Sequence, residues 1–162
     1  MKLTLDFIPL TGEDSLYNFL KRTRRLGKWK AIKEYLIRKQ GRKCQACNQD
    51  DSYLEAHEVW EYDEIICIQS LKEVQLICKK CHLVKHLNFF YGSKVVKRGM
   101  LPSTITKQEL ITHFCQVNEC TEADYHRLEG EAFQLLRWRN KIRWKKDFGT
   151  HYKDLLDKIS DT

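Results

Sequence analysis

The sequence predicts an α+β chain in which a small zinc-stapled β-hairpin and helix are embedded in flanking α-helices. Three observations lead there. Two C-x-x-C pairs, Cys44/Cys47 and Cys78/Cys81, are separated by thirty residues, the spacing of a four-cysteine zinc site of treble-clef type. Between them the chain turns to β-branched and aromatic side chains, which suit strands. On both sides apolar residues recur at helical spacing.

Taken in order, the opening stretch MKLTLDFIPLTGED is too short and too interrupted by Asp6 to read as a signal peptide. EDSLYNFLKRTRR predicts a helix with Leu16, Phe19 and Leu20 inward and an exposed basic end, Lys21, Arg22, Arg24 and Arg25. KWKAIKEYLIRKQG predicts a second, with Trp29, Ile32, Leu36 and Ile37 on one face and Gly41 as its C-terminal cap. Residues 53–78 predict two or three short strands, and CHLVKHLNFF resumes helical periodicity. A loop containing Gly99 and Pro102 follows. Thr106 with Glu109, and Thr121 with Asp124, are capping boxes. The first opens a helix through about Val117; the second opens a longer one carrying Leu128, Ala132, Leu135, Trp138 and Ile142. Trp29, Trp138 and Trp144 are all expected on helices, as core. The organisation is a basic helical segment over 1–43, a metal-stapled core over 44–92, and a linker with C-terminal helices over 93–162, forming one compact unit.

Composition narrows the function classes. The 162 residues are 42% hydrophobic, enough for one ordinary core. No apolar run is long enough to span a bilayer, so no membrane partner is expected. Seven cysteines, four of them in C-x-x-C pairs, favour metal over disulfides and a reducing, cytoplasmic setting. Cys67, Cys115 and Cys120 lack a partner motif and read as small hydrophobic residues. The net charge of +7 is segregated. Residues 1–43 carry 12 basic and 4 acidic side chains, 44–77 carry 1 and 8, 78–100 carry 6 and none, and 101–162 balance at 10 and 10. Basic walls around an acidic middle collect phosphates while the middle retains a cation.

The stretch CKKCHLVKH holds two cysteines and two histidines. On a helix His82 and His86 stack one above the other while Cys81 faces away, so one ion cannot easily take all four. Cys44, Cys47, Cys78 and Cys81 therefore bind one structural Zn2+. His82 and His86 grip a second divalent metal, with His57, at a strand end in LEAHEVW, as the third ligand.

The arrangement Cys44-x-x-Cys47, LEAH, Cys78-x-x-Cys81-His82 and His86 resembles the HNH family of nucleases, over residues 44–86. HEVWEYD, CHLVKH, Val117-Asn118 and a tryptophan-containing C-terminal helix resemble a bacterial subset of that family across most of the chain. The resemblance implies a ββα-metal core, a catalytic metal (Mg2+, Mn2+, Ni2+ or Zn2+) and hydrolysis of phosphodiester bonds in nucleic acid, DNA first. In the family's Glu-x-His-His register this chain reads Glu55-Ala56-His57-Glu58. His57 is then the ligand and Glu58 the general base; shifted by one, His57 is the base and Ala56 stands at the ligand position. Glu73 replaces the family's asparagine. Trp60 is expected in the core and Asp63 in support of the metal ligands. Lys79, Lys80, Lys85, Lys94, Lys97 and Arg98 are candidate contacts to the nucleic-acid backbone. The alternative is a zinc-stapled nucleic-acid-binding or adaptor protein with a degenerate, inactive site.

Overall fold

The computed structural model describes residues 2–9, 15–88, 105–149, 152, 153 and 157. The described residues include five helices and a three-stranded sheet: α1 (Leu16–Arg22), α2 (Leu26–Gln40), β1 (Leu54–Asp63), β2 (Ile68–Cys78), α3 (Lys79–Lys85), α4 (Lys107–Asn118), α5 (Glu122–Arg139) and β3 (Lys145–Asp147). None of these helices is long and apolar enough to cross a membrane.

Helix α1 buries Leu16 and Leu20, two of the three predicted inward residues. Helix α2 buries Ile32 and Leu36 and leaves Trp29 and Ile37 partly covered. It stops at Gly41, whose φ of 77° is one that residues with a side chain rarely adopt. The chain then makes a knuckle around the first cysteine pair, closed by Cys44 N–H donating to Gln49 O (2.9 Å) and Asn48 N–H to Cys44 O (2.8 Å). Gln45 ties this knuckle to β2, its side chain accepting from Leu76 N–H at 2.6 Å.

The predicted short strands are two long ones, 10 and 11 residues, paired antiparallel from Leu54↔Cys78 to Asp63↔Ile68. The register slips between Val59 and Trp60, leaving Lys72 as the extra residue of a bulge. At the tip Asp63 accepts from Ile65 and Ile66 N–H (3.0 and 3.1 Å). It shapes the turn and does not support the metal ligands as expected.

Helices α4 and α5 begin in the capping boxes Thr106/Glu109 and Thr121/Asp124, as the sequence predicts. The exception is the end of α5. The helix stops at Arg139, short of Ile142, and Trp144 lies outside any helix, 2% exposed. Its indole N–H donates to Arg139 O (2.9 Å) and its ring meets Tyr62 edge-on at 5.0 Å. Burying that large ring outweighs continuing a helix that has only Ile142 to cover. The returning chain then adds β3 parallel to β2, Ile68↔Lys145 to Ser70↔Asp147, a strand the sequence does not announce.

The core runs under all of these elements, from Leu3 and Phe7 through Leu54, Leu76 and Ile77 to Val84, Leu110, Phe114 and Tyr125. Each such side chain contributes about 1.5–3 kcal/mol of transfer free energy. Asn118 fastens the N-terminal segment to it: its side-chain oxygen accepts from Lys2 and Leu3 N–H (3.0 and 3.1 Å) and its amide donates to Leu3 O (2.8 Å).

Candidate metal centre

Cys44 and Cys47 come from the knuckle, Cys78 from the end of β2 and Cys81 from α3. Their sulfurs all lie within 4.8 Å of one another, close enough to hold a metal ion such as zinc. The Cys47–Cys78 separation is 3.8 Å, matching the edge of about 3.8 Å expected for a tetrahedral site with Zn–S bonds near 2.3 Å. The thiols also constrain one another. Bonds from the Cys78 and Cys81 thiols hold Cys44 far below the ordinary thiol range. The Cys44 bond pushes Cys78 up to about 12, and Cys81 rises likewise from Cys44 and then Cys78. A divalent ion among the sulfurs would favour their thiolate form. Cys78 N–H donates to Cys44 Sγ at 3.2 Å, and buried His113 on α4 sits 3.1 Å from Cys81 Sγ. His113 lies 32 residues beyond its partner in the chain, and no local pattern marks it.

The three histidines converge separately. The ring nitrogens of His57 on β1 and of His82 and His86 on and just after α3 lie within 4.8 Å of one another, a second group able to hold a metal. His82 Nε2 and His86 Nε2 are 3.1 Å apart, near the edge of about 3.3 Å for Zn–N bonds of 2.0–2.1 Å. Among the described residues, buried His57 Nε2 has no hydrogen-bond partner, which a metal ion would supply. Burial pulls the His57 pKa down to about 2 and that of His86 down to about 4, so both are in the neutral form that binds metals. The carboxylate of Glu55 pairs with His82 Nδ1. Such a pairing leaves Nε2 to face the other two rings. Glu55 was missed, although the signal was present: residues two apart on a strand share a face, and Glu55 and His57 do.

The remaining candidates scatter. Glu58 is buried, and each of its oxygens accepts a main-chain N–H from the first turn of α1: Tyr17 at 2.9 Å and Leu16 at 3.2 Å. Burial raises its pKa against the pull of those two bonds. Glu73 accepts from Gln75 at 2.5 Å. Lys79 and Lys80 are exposed at the start of α3. Lys85, expected to reach a phosphate, is 3% exposed and paired with Asp6 and Thr4. An ammonium on the inner face of a helix needs such partners. Lys94, Lys97 and Arg98 lie outside the described residues.

The histidine cluster opens into a cleft of about 640 Å³, bordered also by Glu58 and by Tyr17, Trp29, Lys30, Lys33 and Tyr53. The sequence marks none of these aromatics or lysines as part of a site, and its helical spacing places Trp29 in the core.

No family model, no curated protein and no solved structure matches this chain. Its fold and site define a mixed α+β protein with a four-cysteine cluster that could hold a metal such as zinc, and a distinct group of three histidines.

Proposed function

We propose that this protein is a metal-dependent nuclease that hydrolyses phosphodiester bonds of nucleic acid, DNA first. The observation that carries the reading is the convergence of His57, His82 and His86 at the base of an open cleft, apart from the four cysteines. His57, His82 and His86 would hold a divalent ion, which would supply charge stabilisation at a phosphate and acidify a water near neutral pH.

The chain's own residues do the rest. His57, whose ring meets those of His82 and His86 edge-on at 5.4 and 5.0 Å and whose Nε2 is buried, has a ligand's placing. Glu55 holds His82 in the required orientation. Lys33 in the cleft and Lys79 at the start of α3 both act electrostatically on Glu55, so they are near enough to draw phosphate towards the cluster. Glu58 borders the same cleft, and a carboxyl of raised pKa is able to accept a proton. To do so it must loosen its bonds to α1.

That last requirement favours a second reading, a zinc-stapled nucleic-acid-binding or adaptor protein whose site cannot cut. Cleavage of plasmid, linear and single-stranded substrates with magnesium, manganese, nickel or zinc separates the two. The nuclease reading expects cleavage that His82→Ala abolishes while the cysteine-bound metal stays at about one per chain. Binding without cleavage under every metal leaves the second reading.

A further inference from the structure

Among the described residues, seven large apolar side chains are exposed: Tyr17, Leu26, Tyr53, Ile65, Ile66, Leu135 and Trp138. The first three all line the histidine cleft. Tyr53 is 58% exposed and Tyr17 40%. Tyr17 meets partly covered Trp29 edge-on at 5.7 Å. The ammonium of Lys33 lies 4.8 Å over the Tyr53 ring, and Lys30, which lines the same cleft, makes among the described residues an exposed pair to Glu34 at 3.7 Å, which holds it weakly. Among the described residues, the carboxylates that border the cleft are already engaged, Glu55 by His82 and Glu58 by α1. The open wall is therefore aromatic and cationic.

We propose that this wall is a subsite for an unpaired nucleotide, its base stacked against Tyr53 or the Tyr17–Trp29 pair and its phosphate on Lys30 and Lys33, so that the cleft takes single-stranded nucleic acid. Aromatic faces are sequence-tolerant platforms for bases out of a duplex, whereas a paired base offers only its edges. A volume of about 640 Å³ lies within the range of about 300–1,000 Å³ typical of small-ligand sites. That is the scale of a nucleotide, and too small for a duplex to enter whole. The proposal rests on the nucleic-acid reading above and deepens it.

The test measures binding of labelled twelve-nucleotide single-stranded DNA, the same sequence as RNA, and the matching duplex, across a salt series. Full-length protein carrying His82→Ala is used, so that nothing is cut. Single strands are expected to bind more tightly than duplex, and whichever sugar binds better names the source. Tyr53→Ala and Trp29→Ala should each weaken single-strand binding by at least about fivefold and leave duplex binding alone. Lys30→Ala with Lys33→Ala should reduce the slope of log affinity against log salt by about 1.4. Tyr53→Ala keeps the test decisive if Trp29→Ala does not fold. Equal or tighter binding of duplex, or single-strand affinity unchanged by Tyr53→Ala, overturns the subsite. If wild type cuts duplex DNA at the same time, the nuclease reading survives alone; if no nucleic acid binds at all, both fall.

Discussion

Replacing Glu58 by glutamine separates a structural from a chemical use of that carboxylate. Ser15 accepts from Asn18 N–H at 3.1 Å, and Glu58 takes the N–H groups of Leu16 and Tyr17. Together they satisfy the first turn of α1, whose N–H groups have no partners within the helix. Glutamine keeps one acceptor oxygen and turns a donor towards the other N–H. A hydrogen bond to a charged group is worth about 1.5–3 kcal/mol, and one is lost outright in a position 8% exposed. Part of that is recovered, because the buried carboxylate no longer has to be kept charged. The expected loss is about 2 kcal/mol, which for a chain of this size lowers the unfolding midpoint by about 4–8 °C. Thermal unfolding of zinc-loaded protein reads this, and cleavage measured well below both midpoints reads the chemistry. A midpoint unchanged by Glu58→Gln refutes the capping argument. If the rate then falls about a hundredfold, Glu58 is the base and its bonds to α1 are incidental.

Three further outcomes are expected. Cys81→Ser should lose the cysteine-held metal and unfold the centre of the domain, since binding there is folding energy; metal content and circular dichroism check it. Glu55→Gln should weaken metal binding at the histidines about 10–100-fold with fold and cysteine metal intact, which calorimetric titration reads; unchanged affinity would sink the orienting role. With the histidine metal removed, His57 and His86 stay neutral in the fold down to about 2 and about 4, while the unfolded chain takes up protons below about 6.5. Stability should therefore fall as pH drops from about 6.5 to 5.5, on the order of 1 kcal/mol per histidine per pH unit. In that window His86→Asn should flatten the fall in the urea midpoint at constant zinc content.

What the sequence disclosed is what local geometry controls. Two C-x-x-C pairs bracket a hairpin, capping boxes start helices, and a spacing of four stacks His82 on His86. His57 needed one more step, the return of a strand past α3, and the antiparallel pairing supplies it. What it hid depends on distant partners. Lys85 belongs to a basic run, yet Asp6, 79 residues away, is what it meets. Strand β3 has three residues, too few for a periodic signal, and exists because Trp144 packs on Tyr62. The role of Glu58 turns on where α1 begins relative to β1, which no pattern within either element records.

The two clusters are not equivalent, because both hang on a helix that cannot stand alone. Helix α3 has seven residues, well under the roughly 12–15 at which an isolated helix becomes marginal. Its place is held by Cys81 in the sulfur cluster and by Val84, with Leu87 just beyond it, in the core. His82 lies one residue from Cys81, and His86 one turn further. Removing the cysteine metal should therefore dissolve the histidine site, whereas emptying the histidine site leaves Cys81, Val84 and Leu87 where they are. Dependence thus runs one way, from the cluster that fixes the helix to the cluster that the helix presents. A chelator series that strips the cysteine metal while the histidine metal stays bound at full affinity would contradict it.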